Sequence, residues 1–143
     1  MRKFILILTI AIISCKESSN KKARTINQSS RPVAEIKDLV VNMGDSNAYY
    51  SLFYHYVDTN EQNTDMFYYS YMMAFKYNYP KAYIDVFDIL CNMYNISTGE
   101  ENIKLNRMDE KSKQLALECL KRASELNYLD SKHLYQVISS LNK

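Results

Sequence analysis

Apolar positions recur every three or four residues in six stretches of this chain, which is the period of helices that bury one face. Pro32 precedes the first stretch and Gly44 follows it, and these residue types favour a helix start and a helix end. The other five stretches open, in order, at Asp45 or Ser46, at Thr64 or Asp65, at Pro80, at Asp109, and at Asp130 or Ser131. The stripes expected to face the core are Val33, Ile36, Leu39, Val40 and Met43; Ala48, Tyr49, Leu52, Phe53 and Tyr56; Phe67, Tyr71, Ala74 and Phe75; Tyr83, Val86, Phe87, Leu90 and Met93; Leu115, Ala116, Leu120 and Ala123; and Leu134, Val137, Ile138 and Leu141.

The segments between these stripes are polar and predict loops, the longest of them at 95–108. The chain has only two glycines and two prolines. An all-β fold needs turn signals far more often, and no segment alternates apolar and polar residues in the manner of a strand. The predicted fold class is therefore all-α.

The first fifteen residues follow a different pattern. Arg2 and Lys3 form a short basic start, an apolar run extends to Ile13, and Ser14 and Cys15 close it. This is the layout of a secretion signal, and the run is shorter than the roughly 20 residues of a membrane-spanning helix. The segment Ile12-Ile13-Ser14-Cys15 resembles the lipobox of bacterial lipoproteins. The alternative is an ordinary signal peptide with a chance cysteine.

The lipoprotein resemblance implies three regions: a signal peptide at 1–14, a lipidated tether at 15–31 and an all-helical domain at 32–143. Cys15 would carry acyl chains such as palmitate and become the first residue of the mature protein. Two or three acyl chains hold a protein firmly on a membrane. The tether is polar and lacks periodicity, as flexible linkers do.

Lys16-Glu17 resembles the charged export tag that sends lipoproteins to the outer face of some Gram-negative bacteria. That resemblance implies a cell-envelope location, at the outer membrane and exposed at the surface. A simple solvated linker is the alternative interpretation of the same two residues.

The helical region contains an internal similarity. A shift of 34 residues superimposes Ala48-Tyr49 on Ala82-Tyr83, and a shift of 49 superimposes Asn78-Tyr79 on Asn127-Tyr128. Repeats of about 34 residues are the signature of helix-hairpin arrays. The positions that carry the pattern are Ala48, Leu52 and Tyr56 in one kind of helix, and Leu115, Ala116, Leu120 and Ala123 in the other.

This pattern resembles the Sel1-like branch of the tetratricopeptide repeat (TPR) family. The resemblance implies antiparallel helix hairpins that form a short α-solenoid. The chain departs from the family where Ser51 to Tyr54 lacks a Leu-Gly step, where the paired glycines are missing, and where Asn127 replaces a usual glycine. A small helical domain without true repeats is the alternative.

Charge argues against nucleic acid as a partner. The chain has 18 basic and 16 acidic residues, and removal of the signal peptide, with Arg2 and Lys3, leaves 16 of each. A nucleic-acid-binding domain usually needs a clustered basic face, which this balance does not supply.

Catalytic chemistry also lacks a basis in the sequence. His55 and His133 are far apart, and neither belongs to a two-histidine metal pattern. No glycine-rich phosphate loop is present, so the sequence predicts no cofactor and no metal. Two carboxylate pairs, Asp85 with Asp88 and Glu61 with Asp65, have spacings expected of solvated surfaces. The chain is therefore predicted not to be an enzyme.

Cys91 and Cys119 lie on predicted helices. Two buried free thiols are expected, although an oxidising envelope would also allow a disulfide.

The 13 tyrosines are the remaining feature, because a helix cannot turn all of them inward. Tyrosine is common at interfaces, where it combines a large ring with a polar tip. Tyr50, Tyr54 and Tyr69 are predicted to form a partner-binding face, which could also stack on a glycan. The predicted function is a non-catalytic interaction module (a scaffold or adaptor) in the envelope. An inhibitory or immunity-type lipoprotein that masks a toxin or enzyme is the alternative, and an envelope hydrolase is a third hypothesis.

Overall fold

The computed structural model describes residues 31–59, 64–98, 103–129 and 131–141. This part of the chain is all-α, as predicted, and it contains no strand. Its helices are α1 (Val33–Asp38), which continues as a π-helical turn at Leu39–Met43, α2 (Ser46–Thr59), α3 (Thr64–Phe75), α4 (Pro80–Met93), α5 (Glu110–Glu125) and α6 (Ser131–Leu141). The predicted signal peptide, Cys15 and the tether up to residue 30 lie outside the described residues.

Each helix packs chiefly against its neighbours in sequence. Helix α3 lies on α4, α4 on α5 and α5 on α6, while the π-helical turn also contacts α3. Packing in chain order is compatible with a helical-repeat fold. The core between the helices is formed by apolar side chains from all six of them, including Val40, Leu52, Met73, Phe87, Leu120 and Ile138.

Two of the predicted helix starts are capped by aspartate side chains. Asp45 Oδ1 accepts hydrogen bonds from the backbone N–H groups of Asn47 at 2.8 Å and Ala48 at 2.9 Å. Asp109 Oδ1 accepts from the N–H groups of Lys111 and Ser112. These bonds satisfy donors that have no partner within a helix, and they set where α2 and α5 begin.

Residues with left-handed backbone end four of the helical segments, namely Gly44, Asn78, Asn95 and Asn127. Asparagine tolerates this conformation better than other residues with a Cβ atom, which explains three of the four. Gly44 has φ of +64°, and a Cβ atom there would lie 2.4 Å from Cδ1 of Tyr77. Only glycine therefore fits between α1 and α2.

The buried stripe predicted for α3 was wrong in part. Tyr71 is exposed, Phe67 and Phe75 are only half-buried, and the buried residues are Met66, Ser70, Met73 and Ala74. Apolar residues surround almost the whole of α3, so periodicity could not select one face. Packing against both the π-helical turn and α4 selects it instead.

The segment between α4 and α5 contributes to the core, although its polar composition predicted a loop alone. Ile96, Ile103, Leu105 and Met108 are buried there. Conversely, the ends of three predicted stripes are solvent-exposed, at Met43, Met93 and Leu141. Both differences arise because burial at the ends of helices depends on which other segment covers them.

Candidate functional site

Helix α4 carries three charged side chains at helical spacing, Lys81, Asp85 and Asp88. Lys81 Nζ donates to Asp85 Oδ1 at 2.6 Å and to Oδ2 at 2.7 Å. Asp85 is only 5% exposed. A carboxylate is rarely buried unless a charge and hydrogen bonds compensate it, and Lys81 supplies that charge.

Helix α2 supplies a further partner to this carboxylate, and α3 supplies a hydroxyl that bonds to that partner. The Tyr49 hydroxyl donates to Asp85 Oδ2 at 2.7 Å, and Ser70 Oγ lies 2.8 Å from the same hydroxyl. Because Tyr49 uses its single hydrogen on Asp85, Ser70 donates to Tyr49. Burial, followed by the charge of Asp85, raises the pKa of Tyr49, so this phenol stays protonated at neutral pH.

The expectation that Asp85 and Asp88 form a solvated surface was therefore wrong for Asp85. Helix α4 packs against α3 on one side and α5 on the other, which leaves little of its circumference in water. The spacing of two carboxylates cannot reveal this burial. A lysine four residues before Asp85, in a helix whose other residues are mostly apolar, is the signal that could have done so.

Aromatic rings of α2 hold the other side of Lys81. Its Nζ lies 4.2 Å from the centroid of the Phe53 ring and 5.5 Å from that of Tyr50. An ammonium group over a ring face is attracted to the π-electrons. Lys81 is thus fixed between a carboxylate and two rings.

A half-open groove lies next to this network, between α2, α3 and α4. Its cavity has a volume of about 130 Å³. This is close to the size of cavities that hold one benzene ring, which are about 150 Å³. The lining is mainly apolar, with polar groups contributed by α4, and consists of Phe53, Tyr56, Val57, Met66, Asp85, Asp88, Ile89 and Asn92.

Asp88 is the titratable group of the groove. Burial, followed by the nearby charge of Asp85, raises the pKa of Asp88 to about 6. Lys81 and a hydrogen bond from Thr98 act in the opposite direction. A part of the Asp88 population is therefore protonated just below neutral pH.

The three predicted interface tyrosines lie around the site but in different ring clusters. Tyr50 is half-buried, with its ring 6.5 Å from that of Tyr79. Tyr54 is exposed, with its ring 6.0 Å from that of Phe53. Tyr69 belongs to a third cluster, in which its ring stacks on that of Tyr56. Each of the three therefore contacts Lys81 or a residue that lines the groove, and none of the ring contacts joins them to one another.

The cluster around Tyr69 contacts the groove through Tyr56, which lines it. The Tyr69 ring stacks on that of Tyr56 at 6.4 Å, and Lys37 Nζ lies 5.6 Å from both centroids. The Tyr56 hydroxyl donates to Asp65, which also forms an ion pair with Lys37. Asp65 thus has partners other than Glu61, which lies outside the described residues.

The remaining candidate residues do not line the groove. Cys91 and Cys119 are buried and free, which confirms the prediction of two free thiols, and burial raises the pKa of each to about 12. His133 is exposed on α6, and His55 has its ring 5.7 Å from that of Tyr56. Within the described ranges, no group of three or more His, Cys, Asp or Glu side chains is placed to hold a metal ion.

Sequence reasoning did not find the Lys81–Asp85–Tyr49 network or the groove beside it. Both depend on side chains from three helices, and the depth of α4 in the packing decides their burial.

Of the helices in the described part of the chain, none has the length and apolar character needed to cross a membrane. No protein-family model, curated protein or solved structure matches the chain.

Proposed function

We propose that the protein is an envelope lipoprotein, anchored through Cys15, whose helical domain is a non-catalytic protein-interaction module. The single observation that carries the interaction role is the half-open groove between α2, α3 and α4. The anchor rests on the lipobox-like segment at the N-terminus, and the outer-membrane location rests on Lys16-Glu17.

The surface beside the groove favours a macromolecular partner. Val57 lines the groove and is 52% exposed, and Tyr54 next to Phe53 is 45% exposed. Single exposed apolar residues are common, but those beside an apolar groove mark binding surfaces more often. Aromatic side chains are enriched where proteins meet.

The state of the polar groups favours binding over catalysis. Both oxygens of Asp85 accept from Lys81, and one also accepts from Tyr49. Lys81 is held by that carboxylate and by the Phe53 ring. Groups that are engaged in this way stabilise the packing of α2 on α4 and are poorly placed to move protons to a substrate.

We also propose that the helices are Sel1-like or TPR-like repeats. The ends of α3 and α5 support this, because each has a left-handed asparagine followed by a tyrosine, at Asn78-Tyr79 and Asn127-Tyr128. In addition, the backbone N–H of each tyrosine bonds back into the preceding helix, to the carbonyl six residues earlier at Met73 (2.9 Å) and five residues earlier at Ala123 (3.0 Å). Similar helix ends at positions 49 residues apart are compatible with a repeat, although the two closing hydrogen bonds differ by one residue in span.

The function is tested by a tagged pull-down from crosslinked cells that carry the full chain, run in parallel with Cys15→Ala. We expect the intact protein to fractionate with membranes and to recover a specific envelope partner, and Cys15→Ala to lose both. Unchanged processing and membrane location in Cys15→Ala would refute the anchor. Recovery of no specific partner by the anchored protein would refute the interaction module.

A further inference from the structure

We propose that the groove takes a segment of the protein partner that inserts one apolar side chain into the cavity and presents a lysine or arginine to Asp88. This inference rests on the proposed interaction function and names its site and the chemistry of the partner.

The size and lining of the cavity select the apolar side chain. A volume of about 130 Å³ suits one side chain of the size of leucine or phenylalanine, not an extended ligand. Phe53, Val57, Met66 and Ile89 form the apolar wall that such a side chain would cover. Anchor residues that fill a pocket of this kind supply much of the affinity of an interface.

The distribution of charge selects the basic residue. The groove has two carboxylates, and Lys81 compensates Asp85 through two short hydrogen bonds. Lys81 also favours the charged form of Asp88, but its ion pair is with Asp85; among the described residues no lysine or arginine forms an ion pair with Asp88, whose hydrogen-bond partner is the neutral Thr98. A cation from the partner would supply the missing charge, whereas an acidic partner would face uncompensated repulsion.

The residues that line the groove from α2 support the same chemistry. Tyr56 lines the groove from α2, and the two carboxylates line it from α4. An arginine or lysine that reaches Asp88 would pass its methylene groups along apolar and aromatic side chains while its charge meets the carboxylate.

The test places a photo-crosslinking amino acid, p-benzoylphenylalanine, at one of two exposed positions of the full chain in living cells. Val57 lies in the groove, and Met43 is 70% exposed but does not line it, which makes it the matched control. Adducts are mapped to the partner's sequence by mass spectrometry. Each position is also combined with Asp88→Asn, which removes the charge of the groove but keeps its shape.

We expect the Val57 position to give at least fivefold more partner adduct than Met43. The mapped segment should contain an apolar residue within about one helical turn of a lysine or arginine, and Asp88→Asn should lower the Val57 yield at least threefold. A mapped segment without a basic residue, or a yield unaffected by Asp88→Asn, would overturn the inference.

The outcome also separates this inference from the function on which it rests. If the pull-down recovers a partner but Val57 gives no more adduct than Met43, the groove is not the docking site and the interaction module stands. If the pull-down recovers no specific partner and neither position gives an adduct, the proposed function and the docking inference both fail.

Discussion

Tyr49 on α2 donates its hydroxyl hydrogen to Asp85 on α4 across 2.7 Å, in a region where Tyr49 is completely buried. The same two helices also meet where the Lys81 ammonium of α4 lies against the Phe53 and Tyr50 rings of α2. The bond from Tyr49 to Asp85 also places the polar network of the core directly beside the groove, because Asp85 belongs to both.

Removal of this hydroxyl should destabilise the fold. Tyr49→Phe keeps the ring but removes the phenol that donates to Asp85 and accepts from Ser70, so the buried Asp85 keeps only Lys81 as a donor. Hydrogen bonds to charged groups contribute about 1.5–3 kcal/mol, so we expect a loss of this size in the free energy of unfolding. Urea denaturation followed by circular dichroism measures it. Tyr54→Phe, at an exposed ring, is the control and should change stability by less than about 0.5 kcal/mol.

Loss of the Lys81 ammonium should lower the free energy of unfolding more than loss of the Tyr49 hydroxyl. The side chains of Lys81 and Asp85 are 18% and 6% exposed, so Lys81→Met leaves a buried carboxylate without its cation. Such changes cost about 3–5 kcal/mol. The double variant Lys81→Met with Asp85→Asn should recover part of the loss, because it no longer buries a charge. Equal stabilities of the single and double variants in urea unfolding would contradict this account of the pair.

Asp88 should make stability depend on pH in a defined window. Its folded pKa of about 6 exceeds the unfolded value of about 3.9, so the folded chain binds an extra proton between these values. The contribution of Asp88 to the free energy of unfolding is therefore most favourable below about pH 4. It falls by on the order of 2 kcal/mol as pH rises through 6.

The comparison of Asp88→Asn with the parent chain measures this effect. We expect the variant to be the more stable at pH 7.5 by on the order of 1–2 kcal/mol, and the two to converge near pH 4. Asp109→Asn is a control of opposite sign, because hydrogen bonds, first from Tyr94 and then from Ser112, lower the pKa of Asp109. That variant should be less stable than the parent at neutral pH. A constant difference between Asp88→Asn and the parent across this range would rule out the assigned titration.

Gly44 should tolerate no side chain. Gly44→Ala combines a left-handed backbone with a contact of 2.4 Å between its Cβ atom and the Tyr77 ring, and we expect a loss of about 2–4 kcal/mol. Asn127→Ala has a similar backbone, with φ of 52°, at an exposed position, and should lose only about 1 kcal/mol. Thermal melts of both variants compare the two losses of stability. Equal decreases in melting temperature would show that the Tyr77 ring moves aside without a loss of stability.

Cys91 and Cys119 should resist thiol reagents while the domain is folded. Burial raises the pKa of both thiols to about 12, which leaves almost no thiolate at pH 8. In a Cys15→Ala chain, Ellman's reagent should react with neither thiol before unfolding and with both in concentrated urea. Rapid reaction of one thiol under native conditions would mean that its helix opens locally.

The helices were predictable because their signals are local. Asp45 and Asp109 cap where their residue type suggests, and Gly44 ends a helix as expected. The faces of α3 and α4 were not predictable in the same way. Ser70 is buried because Tyr49 from another helix accepts its hydrogen bond, and Asp85 is buried because Lys81 and Tyr49 compensate it.

The groove escaped prediction for a related reason. Its lining comes from residues of α2, α3 and α4 that are 39 positions apart at the extremes, Phe53 and Asn92. Hydrophobic periodicity predicts which residues face inward. It does not predict where the inward faces of two helices leave a groove between them. Tyr50, Tyr54 and Tyr69, which the sequence marked for a partner-binding face, do not line the groove themselves, and Tyr56 is the tyrosine in its lining.

Packing of each helix on its sequence neighbour has a consequence for how the chain reaches its fold. Most contacts can form as soon as two adjacent helices exist, so the conformational search is short and folding should be fast, as in other proteins of low contact order. The bond from Tyr49 to Asp85 spans 36 residues and requires α2, α3 and α4 together. It can therefore form only after these helices have docked, and it secures an assembly that local packing has already produced.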